Sequence, residues 1–157
     1  MQTPVEHANS AGSLIPVLLV VEGDRGVEAA IRKIRELRLQ REIRVYLLNV
    51  RPAFPHYVSR FVSRKSIEQF QVDEGLKALA PAIRLLEAAG VPYWKHVETG
   101  ERTAVIMHFA NQRHCRKIFI AQRGHGLVAR LLLDSTASHM RQLLAQASKT
   151  GIVFEEY

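Results

Sequence analysis

Cysteine is nearly absent from the sequence: Cys115 is the single one in 157 residues. No disulfide can form within the chain, and no cysteine-based zinc site can be built from one thiol. Long hydrophobic runs are missing too. The longest, Val17 to Val21, is far short of the roughly 20 apolar residues that cross a bilayer. Residues 1–13 lack the charged-then-apolar pattern of a secretion signal and are expected to form a flexible tail. A cytoplasmic location with no membrane partner is the expectation. Catalytic patterns are also lacking. None of the seven histidines stands four residues from another in a metal-binding motif such as H-E-x-x-H, so no metal is expected. No G-x-S-x-G elbow frames a serine nucleophile. Catalytic residues are therefore expected to be none, and the protein is read as not an enzyme.

Acid is the scarcer sign of charge. Lys and Arg number 22 against 15 Asp and Glu, leaving a net charge of +7. The excess comes from Arg32, Lys33, Arg35, Arg38, Arg41 and Arg44, then from Arg60, Arg64 and Lys65. The first block is dispersed among Glu28, Glu36 and Glu42. These blocks are read as solvated, partly ion-paired faces without the interleaved aromatics of a base-stacking platform, so a nucleic-acid partner is not expected.

What is present is an alternation of apolar runs and helical periodicity. Leu14 to Val21 reads as a strand buried on both faces, broken by Glu22-Gly23-Asp24. Val27, Ala30, Ile31, Ile34 and Leu37 recur at helical spacing. Ile43 to Val50 is a second strand, ended by Arg51-Pro52 because proline cannot donate to a ladder. A loop with a short helical turn follows, to Lys65. Ser66 to Ala89 is predicted as a long helix with Ile67, Phe70, Leu76, Leu79, Ile83 and Leu86 on one side. Pro81 is expected to kink or break it, and Gly90 to stop it. Val91 to Glu98 is a third strand carrying Trp94, expected to pack under a helix, and Thr103 to Arg113 a third helix. Lys117 to Ala121 is a fourth strand, Ser135 to Ala147 a fourth helix and Gly151 to Glu155 a last strand. Strands alternating with helices pair in parallel through right-handed crossovers. The expected fold is one domain over 14–157, a Rossmann-like, doubly wound five-stranded parallel α/β sheet with helices on both faces. Ligands of such sheets sit beyond the carboxyl ends of the strands, where 22–24, 50–52 and 122–135 should converge.

Three stretches carry a family resemblance. Ile15 to Asp24 is similar to the first strand and acidic turn of the universal stress proteins. Leu86-Glu87-Ala88-Ala89-Gly90-Val91 with Val97-Glu98-Thr99-Gly100 resembles their passage from second helix to third strand. Arg116 to Gly124, followed by Leu131-Leu132-Leu133-Asp134-Ser135, resembles their fourth strand and the loop after it. The resemblance spans about residues 14–156. Nucleotide-binding members carry G-x2-G-x9-G-[S/T] in that loop, which here falls at Ala121, Gly124, Asp134 and Ser135. The resemblance thus implies a nucleotide- or anion-binding set of Glu22, Gly23, Val50, Arg123, Gly124, His125, Ser135 and Thr136. Within it, Glu22 stands where the family has Asp, and Val50 offers backbone to adenine. It also implies a homodimer through the last strand, Ile152, Val153 and Phe154, an apolar edge that invites pairing.

The loop departs from the nucleotide-binding pattern chiefly at Asp134. An Asp at the start of a helix caps its free N–H groups and sets negative charge beside a phosphate. At 4 Å that repulsion is about 1 kcal/mol in water and about 4 at an intermediate dielectric. The helix dipole offers only about 0.3–1 kcal/mol in return. ATP is possible but disfavoured, and no cofactor is expected. The favoured reading is a stress-response regulator of the universal stress type, acting by dimerisation and through an unknown protein partner. The alternatives are a nucleotide- or small-anion-binding sensor of the same fold, or a basic nucleic-acid-associated protein using the first-helix arginines.

Overall fold

The computed structural model describes residues 14–121 and 153–156. In chain order these form β1 (Ile15–Val21), α1 (Val27–Gln40), β2 (Ile43–Arg51), a 3-10 turn (Val58–Arg60), α2 (Arg64–Ala88), β3 (Tyr93–Thr99), α3 (Arg102–Gln112), β4 (Lys117–Ala121) and β5 (Val153–Glu156). The strands make one parallel sheet in the order β3-β2-β1-β4-β5. The expected tail over 1–13 and the expected fourth helix, Ser135 to Ala147, lie outside the described residues.

The sheet order follows from the burial of its strands. β1 is central, and Val17 to Val21 are all fully buried, with Val17, Leu19 and Val21 facing one layer and Leu18 and Val20 the other. A strand covered on both faces must be apolar on both, which is why this run does not alternate. The first layer holds Val27, Ala30, Ile31 and Ile34 of α1 with Leu79, Ala82 and Leu86 of α2. The second holds Ile106, Met107, Phe109 and Ala110 of α3. Burying one such aliphatic side chain contributes about 1.5–3 kcal/mol. Trp94 packs against that second layer, with the Arg44 guanidinium 4.9 Å from its ring centroid.

Three expectations for α2 need correction: a break at Pro81, Phe70 on the core-facing side, and a start at Ser66. The helix runs unbroken through Pro81. Pro81 has no N–H for the Lys77 carbonyl, but Leu79, Ala82 and Leu86 are fully buried on either side of it. Packing therefore holds the helix across the missing bond. Phe70 does not share the core-facing side, being half exposed. The inward residues of the first turns are Gln71 and Gly75, so the buried stripe is 71, 75, 79, 82 and 86. The helix also begins earlier than Ser66, because the Ser63 hydroxyl accepts the Ser66 N–H at 3.2 Å as its cap.

Candidate functional site: the carboxyl edge of the sheet

The chain runs outward from β1 through β2 to β3, then crosses back to β4 on the other side of β1. That reversal opens a crevice at the carboxyl ends of β1 and β4. Side-chain and backbone bonds from β2, α2 and α3 fasten its described walls. Asn49, on β2, is buried and donates from Nδ2 to the Val21 carbonyl at 2.7 Å. Gly100 N–H donates to the Arg51 carbonyl at 2.9 Å, joining the ends of β3 and β2. Gln71, also buried, donates to the Pro52 carbonyl at 2.6 Å and accepts from Arg51 Nε at 3.2 Å. Glu22 forms an ion pair with Arg102, the first residue of α3. Glu101 caps that helix, accepting from Thr103 N–H at 3.1 Å and Ala104 N–H at 2.7 Å.

The expected site residues divide accordingly. Glu22, Gly23 and Val50 stand together at this edge. Gly23 takes φ +138°, a conformation open to glycine and strained for other residues, and among the described residues no atom beyond its own chain neighbours lies within 4 Å of where a Cβ would be. The turn therefore leaves space above the strand ends. Val50 is 7% exposed and packs its side chain into the α3 layer. Arg123, Gly124, His125, Ser135 and Thr136 lie outside the described residues, as does Ile152. Val153 and Phe154 belong to β5, which closes the sheet at one edge and pairs with β4. Lys117 and Glu155 tie that pairing by an ion pair of 2.7 Å.

Sequence reasoning missed Asn49 and Arg102. Asn49 had a signal, a lone amide inside the apolar run from Ile43 to Val50. Its Oδ1 is buried and accepts no hydrogen bond among the described residues. Arg102 had none, since only the fold brings the start of α3 to the end of β1. The fit to a nucleotide is partial. Gly23 leaves room, but a ribose hydroxyl reaching for the Glu22 carboxylate competes with Arg102 for it. Cys115 is no part of this edge. It is 2% exposed, and burial pushes its thiol up to about 12, so the structural role outweighs any lowering by Arg113. An open cleft of about 570 Å³ between α1 and α2, lined by Asp24, Glu28, Arg32 and Arg84 among others, touches the crevice only through Asp24.

No group of three or more His, Cys, Asp or Glu side chains placed to hold a metal occurs among the described residues. No helix among them is long and apolar enough to cross a membrane.

The fold and its reversal point define a doubly wound parallel α/β protein with a strand-end crevice. The family model for the universal stress protein family matches residues 16–146. The chain belongs to that family. No curated protein sequence matches significantly. Among solved structures, the chain is similar to a universal stress family protein from Burkholderia pseudomallei, at 14% identity over 90% of this chain and 94% of that one, with a TM-score of 0.59. It is similar to a universal stress family protein from Arabidopsis thaliana with AMP bound, at 14% identity over 90% and 91%, TM-score 0.56. It is also similar to the universal stress protein from Archaeoglobus fulgidus in complex with dAMP, at 19% identity over 90% and 96%, TM-score 0.56.

Proposed function

We propose that the protein is a non-catalytic stress-response regulator of the universal stress type, acting by dimerisation and partner binding, with weak affinity for ATP. The observation that carries this reading is the Glu22–Arg102 ion pair. It commits to α3 the one carboxylate that the family resemblance assigns to the nucleotide, so binding must first break an existing interaction. Asp134 adds a second objection at the phosphate end. The terminal position of β5 in the sheet supports pairing of two copies along it, because an edge strand retains free N–H and C=O groups.

Calorimetric titration of the full chain with Mg-ATP tests the first part. Heats too small to fit at micromolar protein are expected, and tight binding sinks the reading. Asp134→Gly should improve ATP affinity about tenfold, the low-to-middle range of the repulsion removed at 4 Å; no gain means that Asp134 neither caps nor repels. Sedimentation at micromolar concentration should show a dimer.

A second reading, a sensor of a nucleotide or small anion, has its own support. The turn at Gly23, open among the described residues, suits a polar ligand, and two of the similar structures hold AMP and dAMP. AMP binding at micromolar concentration without ATP binding would favour it.

A further inference from the structure

Arg60, Arg64 and Lys65 do not lack aromatics. Six of the eight exposed large hydrophobics among the described residues fall within 54–72, and four of those are rings: Phe54, Tyr57, Phe61 and Phe70. In chain order rings and cations alternate, with Tyr57 followed by Arg60, Phe61, Arg64, Lys65 and Phe70. Tyr57 is 69% exposed and Phe61 87%. A ring left so far in water forfeits the free energy that burial would give it.

The segment is held in shape rather than left loose. Val58 N–H donates to the Pro55 carbonyl, Phe61 and Val62 N–H both donate to the Val58 carbonyl, and Ser59 Oγ donates to the His56 carbonyl. Ser63 caps α2 directly behind it. Phe54 and Phe70 meet across the segment with centroids 5.8 Å apart. Gln71 anchors its base to Pro52 and Arg51. From 51 to 72 the charges are Arg51, Arg60, Arg64 and Lys65 against Glu68 alone, and Glu68 is already paired with Arg64.

We infer that this loop and the first turns of α2 form a binding surface for single-stranded nucleic acid. Such grooves combine cations that follow the phosphates with rings on which unpaired bases stack, and both are present at alternating positions. The local excess of three positive charges calls for a polyanion, which disfavours an apolar protein partner. A membrane surface fits less well, because three of the four rings stand on or beside a 3-10 turn in a loop with two prolines, not along the apolar face of a long amphipathic helix. Duplex nucleic acid offers phosphates but keeps its bases stacked away from the rings. The arginines of α1, by contrast, have no exposed ring among them. The inference does not depend on what the strand-end crevice holds.

Fluorescence anisotropy of a labelled oligo(dT) of about 16 nucleotides, the upper site size of single-strand grooves, tests it on the full chain. Binding at low salt is expected, weakening linearly in a log–log plot with a slope of about −2 for three neutralised phosphates. Tyr57→Ala and Phe61→Ala should each weaken binding about tenfold at unchanged salt slope, with melting temperature unchanged because both rings are exposed. Arg60→Gln with Lys65→Gln should flatten the slope by about 1.4. Four results overturn the inference: no binding at low salt, equal affinity for a duplex of the same length, ring variants that bind like wild type, or preference for phosphatidylserine vesicles over the oligonucleotide.

Discussion

A single missing side chain sets how closely α2 approaches β3. Gly75 is buried, and a Cβ built on it would come within 2.6 Å of Val97 Cγ2 and closer still to Cγ1. Helix propensity alone favours alanine over glycine at such a position by about 1 kcal/mol. Overlap with a packed side chain costs about 1–3 kcal/mol. The steric cost is the larger, so Gly75→Ala should lower stability by about 1 kcal/mol in urea denaturation. The added change Val97→Ala makes room and should recover most of that difference in a double-mutant cycle. If Gly75→Ala is stabilising instead, the helix and strand are not in close contact there. The same glycine reads from sequence only as a weak point in a helix, because close approach between elements leaves no trace in local spacing.

At the scale of elements, the apolar strands were legible to within a residue or two, and α1 was fully legible from its spacing. Both rest on burial imposed by the two-layer packing, which acts on every residue of a run. The starts of α2 and α3 fall two residues and one residue before the expected ones, because caps set them. Ser63 and Glu101 are ordinary polar residues until the following N–H groups turn toward them. Glu101 is the more consequential, since α3 begins beside the Glu22 end of β1. Glu101→Ala removes the acceptor for two N–H groups and should cost about 1 kcal/mol, read as a lower urea midpoint at unchanged m. Glu101→Gln keeps an acceptor and should lose less. Part of the described strand-end edge was legible in the same sense. Glu22, Gly23 and Val50 follow from knowing where strands end, whereas Asn49 and Arg102 depend on which elements become neighbours.

For the molecule as a whole, the response of stability to acid includes a contribution from one half-buried ring. His96, on the edge strand β3, lies against the α3 layer with its ring 4.9 Å from Phe109 and 6.0 Å from Tyr46. The Arg113 guanidinium stands over both of those rings, at 5.6 and 5.4 Å. Burial, then repulsion from Arg113, holds the His96 pKa below its ordinary value of 6.5. His96 Nε2 is buried and has no hydrogen-bond partner among the described residues, so a proton arriving there would find no acceptor. The unfolded chain binds that proton more readily than the folded one. Stability from this group is therefore complete above about pH 6.5 and falls as the pH drops from there toward the lowered folded value. His96→Gln removes the titration and keeps a neutral side chain of similar reach. Between pH 7.5 and 5.5 the melting temperature of the wild type should fall further than that of His96→Gln, other carboxylates acting equally on both. Parallel falls in the two proteins would mean that His96 takes up its proton without opening the contact between β3 and α3, and that the acid sensitivity of this fold lies elsewhere.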